Sequence, residues 1–343
     1  MKKETDSESS SLGKEHMDRM VNGAENALRY ILSVKDKDKL LIITDKDKEA
    51  IGRAFESGAK RLGASVISYL LPENKRPLSE IPEDLNPLFS GCGVFVNAFS
   101  SHAEETPFRI KLVKQQQSLG ARVGHAPGIT YDMMFKGPMT ADYKEVAENA
   151  KDLIKAFERA LKVHITTDEG TDITLNIEGR EFETDAWIEP GNMGNLPAGE
   201  IWCAPIEDEA NGTIFVNGSI GDLGGVSRPL KIIVKNGKIE SFESEDSALL
   251  AKVKELTTLD QMASVIGELG IGLNPKARLT GNLLEDEKAG GTAHIAFGYN
   301  ENMPGGKNNS KTHRDFLFYN PTFEVEYEDG SKRILIKDGK INV

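Results

Sequence analysis

The chain has 343 residues, of which 38% are hydrophobic and 28% charged, and its formal net charge is −12. This length allows two domains with substantial cores. The negative balance argues against a nucleic-acid surface, which needs a basic stripe. No apolar run approaches the roughly 18 residues that suggest a membrane span. We therefore expect a soluble protein whose partners include neither nucleic acid nor membrane.

The N-terminal segment and the cysteines indicate the compartment. Residues 1–17 contain no apolar core of the kind found in a secretory signal, and their Ser, Glu and Lys content predicts a short disordered lead. The two cysteines, Cys92 and Cys203, are too few for a disulfide framework. A reduced, cytoplasmic setting is the simplest interpretation.

Residues 18–162 predict an α/β domain. Short apolar runs alternate with longer helical segments that often end near glycine, as in βαβ units built on a parallel sheet. We place the domain boundary at the end of the last of these helices. The predicted strands cover 39–45, 65–71, 93–99 and 121–129, and the predicted helices cover 18–35, 49–62, 106–120 and 144–162.

Residues 163–343 predict an α+β domain that is largely antiparallel. Polar and apolar residues alternate along several segments, which turn at Asn-Gly, Asp-Gly or Glu-Gly pairs in the manner of β-hairpins. A single helical segment is predicted at 246–270, between the hairpins. The candidate functional residues described next also fall in this domain.

Residues 285–316 contain the residue types that bind metal ions. Two of the six histidines, His294 and His313, lie in this glycine- and asparagine-rich segment, and Asp315 follows His313 by two residues. On a strand, this spacing directs the imidazole and the carboxylate to one face. Imidazole and carboxylate together bind zinc, iron and manganese, and glycine lets backbone come close to such a centre. The sequence therefore predicts a metal site.

Two glutamates in glycine-containing segments extend this candidate site. Glu200 lies in NLPAGEIWCAP, where a Pro-Ala-Gly turn places it at the start of a strand, and Glu268 lies in IGELGIGLNP. Each glutamate alone is more often a solvated turn residue than a ligand. Together with the two histidines and the aspartate, they suit a binuclear site with a bridging carboxylate and a bound water.

These segments, in this order, resemble the aminopeptidase T and aminopeptidase S family of metallo-aminopeptidases, the thermophilic metalloproteases. The resemblance is strongest over about 163–343 and includes GTDITLNI, NLPAGEIWCAP, DEKAGGTAHIAFG and the His-Arg-Asp segment. It implies removal of N-terminal residues from short peptides, two divalent ions per chain (zinc, cobalt or manganese) and a homodimer that encloses its sites. The metal ligands that it implies are Glu200, Glu268, His294, His313, Asp315 and, five residues after the first of these histidines, Tyr299.

The reaction has three alternative interpretations. In the hydrolase, a metal-activated water attacks the peptide bond, with Glu200 or Glu268 as its general base. The iron-dependent 2,5-dihydroxypyridine dioxygenases are similar to the same family, and in that case His294, His313 and Asp315 would hold a single Fe(II). The third alternative is a non-catalytic relative that binds a small ligand. The presence of both glutamates favours the hydrolase.

Overall fold

The computed structural model describes the backbone from residue 2 and the side chains from residue 13. The segment 1–17, predicted to be a disordered lead, lies mostly where side chains are not described, and its described backbone, residues 2–17, is helical. Among the described residues, no helix combines the length and the apolar character needed to cross a membrane.

The helices and strands have the following bounds in chain order. The helices are α1 (Lys2–Tyr30), α2 (Glu49–Arg61), α3 (Thr106–Ser118), α4 (Tyr131–Phe135), α5 (Tyr143–Ala156), α6 (Ser247–Leu256) and α7 (Leu283–Asp286). The first ten strands are β1 (Lys39–Thr44), β2 (Ser65–Leu70), β3 (Val94–Ala98), β4 (Arg122–His125), β5 (Ala160–Thr166), β6 (Asp172–Asn176), β7 (Glu183–Thr184), β8 (Met193–Asn195), β9 (Glu200–Cys203) and β10 (Asn211–Val216). The later strands are β11 (Ser219–Ile220), β12 (Gly224–Gly225), β13 (Leu230–Lys235), β14 (Lys238–Glu243), β15 (Ile266–Gly272), β16 (Thr292–Gly298), β17 (His313–Tyr319), β18 (Thr322–Tyr327), β19 (Lys332–Lys337) and β20 (Lys340–Ile341).

The first compact unit comprises Met1–Ala147 and Asp185–Ala198 and is built on a parallel sheet. Its strand order is β2-β1-β3-β4-β8, and every neighbouring pair is parallel. Strands β1 and β3 lie inside the sheet and are almost wholly buried, as their continuous apolar sequences require. The predicted α/β domain with a parallel sheet is confirmed.

One segment of this unit comes from beyond the predicted boundary at residue 162. Asp185–Ala198 belongs to the first unit because β8 pairs with β4, with Gly124 opposite Gly194. Gly124 permits close packing, since a Cβ there would lie 2.5 Å from Leu196 Cδ1. The division into compact units therefore does not follow a single boundary in the sequence.

The second compact unit is described in full and comprises Glu148–Thr184 and Gly199–Val343. Its strands form two antiparallel sheets, in the orders β14-β13-β10-β6-β5-β18-β19-β20 and β12-β11-β17-β16-β15-β9-β7. The β13–β14 hairpin turns at Asn236 and Gly237, whose φ angles of 49° and 72° suit a type I′ turn. The predicted, largely antiparallel α+β domain is confirmed, and its second sheet positions the candidate site.

The predicted helix 246–270 is wrong over its second half. Helix α6 ends at Leu256, and Ile266–Gly272 form the strand β15. The glycines of this stretch make it a poor helix. In β15 they allow close approach, since a Cβ at Gly272 would lie 2.1 Å from the carbonyl oxygen of Ala289. Pairing with β16 and β9, rather than local preference, decides the structure of this stretch.

The predicted helix 144–162 is also too long. Helix α5 ends at Ala156, and Arg159 has a φ of 62°, in the left-handed region, immediately before β5 begins at Ala160. This conformation ends the helical geometry, so the last residues of the predicted helix are extended. Helix α1 likewise ends at Tyr30, short of its predicted end at residue 35.

Candidate metal centre

The candidate ligands lie on one face of the sheet that contains β9, β15, β16 and β17. The register pairs His294 with Gly270, and it pairs Ala296 with both Glu268 and Asp315. Paired residues of neighbouring antiparallel strands point to the same face of the sheet. The predicted site residues on this face are Glu200 on β9, Glu268 on β15, His294 on β16, and His313 and Asp315 on β17.

Glycines on the same face make room for these side chains. Gly270 lies opposite His294, and a Cβ at this position would be 1.9 Å from His294 Nε2. Gly298 lies opposite His313 and has a φ of +108°, and a Cβ there would be 2.1 Å from the carbonyl oxygen of Thr312. A larger residue at Gly270 would displace the His294 imidazole, so glycine at this position is explained by the space that the ring needs.

Glu268 lies at the centre of the cluster. Its Oε1 is 3.2 Å from His294 Nε2, and its Oε2 is 3.1 Å from His313 Nε2. His313 Nε2 is also 3.4 Å from Asp315 Oδ1, and His294 Nε2 is 3.6 Å from Glu200 Oε2. The structure thus brings together five of the six side chains that the sequence analysis selected.

Tyr299 contacts the cluster through its backbone. His313 Nδ1 lies 2.7 Å from the carbonyl oxygen of Tyr299, to which it donates its proton. This bond fixes the orientation of the ring and leaves Nε2 directed at Glu268 and Asp315, which is the arrangement of a metal-binding histidine. The role of the Tyr299 phenol as a ligand stays a prediction.

The cluster is buried, and its charges are coupled. Glu200, Glu268 and Asp315 are 6%, 6% and 4% exposed. Burial would raise the pKa of Glu268, but hydrogen bonds and charges from His294 and His313 outweigh it and hold this pKa below its usual value. Burial would lower the pKa of His294, but Glu268 and Glu200 raise it to about 9. Glu268 and Asp315, whose pKa values are both lowered, therefore stay ionised, and buried carboxylates require positive charge beside them.

The donor set fits a divalent metal ion. Ligand atoms of Glu268, His313 and Asp315 all lie within 4.8 Å of one another. The separations of 3.1 and 3.4 Å from His313 Nε2 are close to the roughly 3.4 Å edge of a tetrahedral site with bonds of about 2.1 Å. The pKa values of His294 and His313 are raised, so without a metal ion the protonated imidazoles provide the positive charge. A bound metal ion would supply this charge instead.

Lys288 is a residue of this site that the sequence analysis missed. Its side chain is fully buried, and its Nζ donates to Glu200 Oε1 at 2.5 Å and also to Glu287. The ammonium thus holds one oxygen of Glu200 while the other faces His294. Adjacent glutamate and lysine residues such as Glu287 and Lys288 are usually solvated, and Glu200 is 88 residues away from Lys288. The only signal in the sequence for this role is that Lys288 lies six residues before His294.

Comparison with known sequences decides the family. A model of the thermophilic metalloprotease (M29) family matches residues 134–341, more than half of the chain. The chain belongs to this family. It is therefore an enzyme that hydrolyses peptide bonds and binds divalent metal, and the resemblance found in its motifs is confirmed. A search of curated proteins gives no match.

Two solved structures share the fold of the enzyme. AmpT from Thermus thermophilus is 17% identical, with a TM-score of 0.68, and the match covers 95% of this chain and 99% of that chain. The 2,5-dihydroxypyridine dioxygenase from Pseudomonas putida KT2440 is 18% identical, with a TM-score of 0.72 and coverage of 94% and 97%. At these identities the likeness establishes the fold alone, so the reaction has to be argued from the side chains.

Proposed function

We propose that the enzyme is an aminopeptidase that removes N-terminal residues from short peptides with water activated by two divalent ions. The position of Glu268 carries this proposal. Its two carboxylate oxygens face different histidines, His294 at 3.2 Å and His313 at 3.1 Å. A carboxylate in this position is suited to bridge two metal ions, as binuclear hydrolases require.

The proposed ligand sets share Glu268. Glu268, His313 and Asp315 would hold one ion, and Glu268, His294 and Glu200 would hold the other. Zinc, cobalt and manganese all accept such nitrogen and oxygen donors. When bound, the ions polarise the scissile carbonyl and lower the pKa of water.

The chain's own groups hold this arrangement and take up the proton of the attacking water. Tyr299 orients His313 through its carbonyl oxygen, and Lys288 holds Glu200 through Oε1. Of Glu200 and Glu268, the two carboxylates considered as the general base, Glu200 suits this role better, because both oxygens of Glu268 face the histidines and would serve as metal ligands. Because the cluster is buried, bulk water does not screen these charges, and their interactions are stronger than at a surface.

The same geometry favours the hydrolase over the dioxygenase alternative. A single iron in the oxygenase would use His294, His313 and Asp315. Glu268 lies between the two histidines of this set, with Oε1 3.2 Å from His294 Nε2 and Oε2 3.1 Å from His313 Nε2. A glutamate that faces both histidines has no function in the oxygenase ligand set, whereas the binuclear hydrolase requires one.

The test is peptide release without oxygen. The protein loaded with Zn²⁺, Co²⁺ or Mn²⁺ under anaerobic conditions should release amino acids from short peptides that have a free N-terminus. N-acetylated peptides should react poorly, because they no longer offer an ammonium group. A chelator should stop the release, and added metal should restore it.

A different pattern would contradict the proposal. If a broad peptide panel shows no release, and a hydroxypyridine is consumed only with Fe²⁺ and oxygen, the oxygenase is the correct assignment. The homodimer and the cytoplasmic location stay predictions.

A further inference from the structure

Glu183 lies at the edge of the sheet that carries the metal site. Strand β7 pairs with β9, and the register places Glu183 opposite Trp202. Trp202 in turn lies opposite Gly270, which lies opposite His294. Because residues paired in this way share a face, Glu183 and Trp202 belong to the same face, and the same row, as the candidate ligand His294.

Glu183 is oriented by Trp202. Trp202 Nε1 donates to Glu183 Oε2 at 3.2 Å, and both side chains are partly exposed, unlike Glu200 and Glu268. Within the described side chains, no lysine or arginine forms an ion pair with Glu183. Burial raises the pKa of Glu183, the hydrogen bond from Trp202 lowers it, and the charge of Glu268 raises it, with a net increase. This is the behaviour of a carboxylate that lacks a positive partner.

We propose that Glu183 and Trp202 form the subsite that binds the α-ammonium group of the substrate. The inference rests on the proposed aminopeptidase function and identifies how the enzyme recognises a free N-terminus. An ammonium group donates charge-assisted hydrogen bonds to a carboxylate, and an indole ring beside it adds a favourable cation–π interaction.

The spacing of the strands suits this role. Neighbouring strands are about 4.8 Å apart, so β7 lies about 10 Å from β15, whose Gly270 lies beneath the His294 ring. The Glu183 side chain covers part of this distance. The α-nitrogen of a peptide is two bonds, roughly 2.5 Å, from the scissile carbonyl carbon. A peptide bound to Glu183 through its ammonium can therefore present its first carbonyl group to the metal site.

A binding experiment with non-hydrolysed probes tests the proposal. The full-length, zinc-loaded protein is titrated in a calorimeter with L-leucinol, which has the ammonium group but no scissile amide, and with N-acetyl-L-leucinol. Glu183→Gln should weaken leucinol binding by roughly tenfold to a hundredfold and leave binding of N-acetyl-leucinol unchanged. Glu181→Gln is the matched control, since Glu181 is exposed and two residues away, and it should bind both probes like the wild type.

Two further variants separate recognition from a structural effect. Glu183→Asp keeps the charge and should recover part of the lost affinity. Trp202→Phe removes the hydrogen bond that positions Glu183 but keeps an aromatic ring. It should raise the KM of free peptides more than it lowers kcat, by a smaller factor than Glu183→Gln.

The outcomes are distinct. The proposal is overturned if Glu183→Gln binds leucinol like the wild type, or if the wild type does not distinguish leucinol from its N-acetyl form. Loss of zinc from Glu183→Gln would instead make Glu183 part of the metal site, which also overturns it. Failure of the proposed function looks different: no peptide is hydrolysed, while leucinol binding still depends on Glu183.

Discussion

The two units each bury a cluster of carboxylates, and the clusters are neutralised in different ways. In the first unit, Arg76 Nη1 lies 2.5 Å from Asp45 and its Nη2 lies 2.6 Å from Glu105. Backbone N–H groups of Ser100 and Leu78 also donate to these carboxylates. This cluster is completed by groups of the chain itself.

In the second unit, a metal ion can take over the neutralisation of the buried carboxylates from the protonated histidines. Glu268 and Asp315 face imidazoles, while Lys288 engages Glu200 and Glu287. An imidazole can release its proton and bind a metal ion through the same nitrogen, whereas a guanidinium cannot. Burial of carboxylates therefore does not identify a metal site by itself; the nature of their partners does.

The largest expected effect is that of His313→Ala. Loss of this imidazole should lower the metal content and reduce activity by more than the roughly 100-fold that loss of an outer partner causes. His164→Ala is the control, because His164 lies on the other sheet of the unit and bonds Asp172 at 2.8 Å. Equal losses of activity in both variants, with metal retained, would show that structural histidines were mistaken for ligands.

The pair Glu268→Gln and Glu200→Gln tests which carboxylate is shared. Glu268 faces both histidines, so its neutral variant should lose both ions. Of the two histidines, Glu200 faces only His294, so the Glu200→Gln variant should keep the ion on the His313 side. The metal-to-protein ratio measures this, with expected values near zero and near one. If Glu200→Gln instead loses both ions and Glu268→Gln keeps one, Glu200 is the shared ligand.

Arg76→Met tests the self-contained cluster. The change leaves Asp45 and Glu105 buried without their cation and should lower the free energy of unfolding by about 3–5 kcal/mol, with metal content unchanged. Arg53→Met removes an exposed ion pair with Glu49 and should change stability little. Urea unfolding measures the stability of both variants. Similar unfolding midpoints for Arg76→Met and Arg53→Met would contradict the view that Arg76 neutralises the buried carboxylates of the first unit.

A smaller effect is expected from pH. Burial would raise the pKa of Asp45 and of Glu105, but hydrogen bonds and the charge of Arg76 outweigh it and lower both. Carboxyls with lowered pKa contribute stability above their unfolded pKa of about 4 and lose it as pH falls through the folded values. Unfolding between pH 6 and 3 should therefore show a steeper acid loss in the wild type than in Arg76→Met. Equal slopes would refute this assignment.

Much of the fold could be predicted because its signals are local. The apolar run of β1 and the Asn236-Gly237 turn each fix their own conformation. Strand β15 could not be predicted in this way, because its structure depends on pairing with β16 and β9, far along the chain. The predicted helix was therefore continued through Glu268.

The candidate site shows the same limit. The residue types and their glycines were sufficient to select Glu200, Glu268, His294, His313 and Asp315. The buried Lys288 was not predicted, since its neutralising partner Glu200 is distant in sequence. Glu183 was missed because β7 is a two-residue strand whose register with Trp202 exists only in the folded sheet.

The central claim is that the cluster around Glu268 binds two divalent ions. The most direct test is elemental analysis of the purified full-length protein after loosely bound metal has been removed. The account predicts about two divalent ions per chain and their loss in Glu268→Gln. A single iron that persists in Glu268→Gln, or no bound metal, would contradict it.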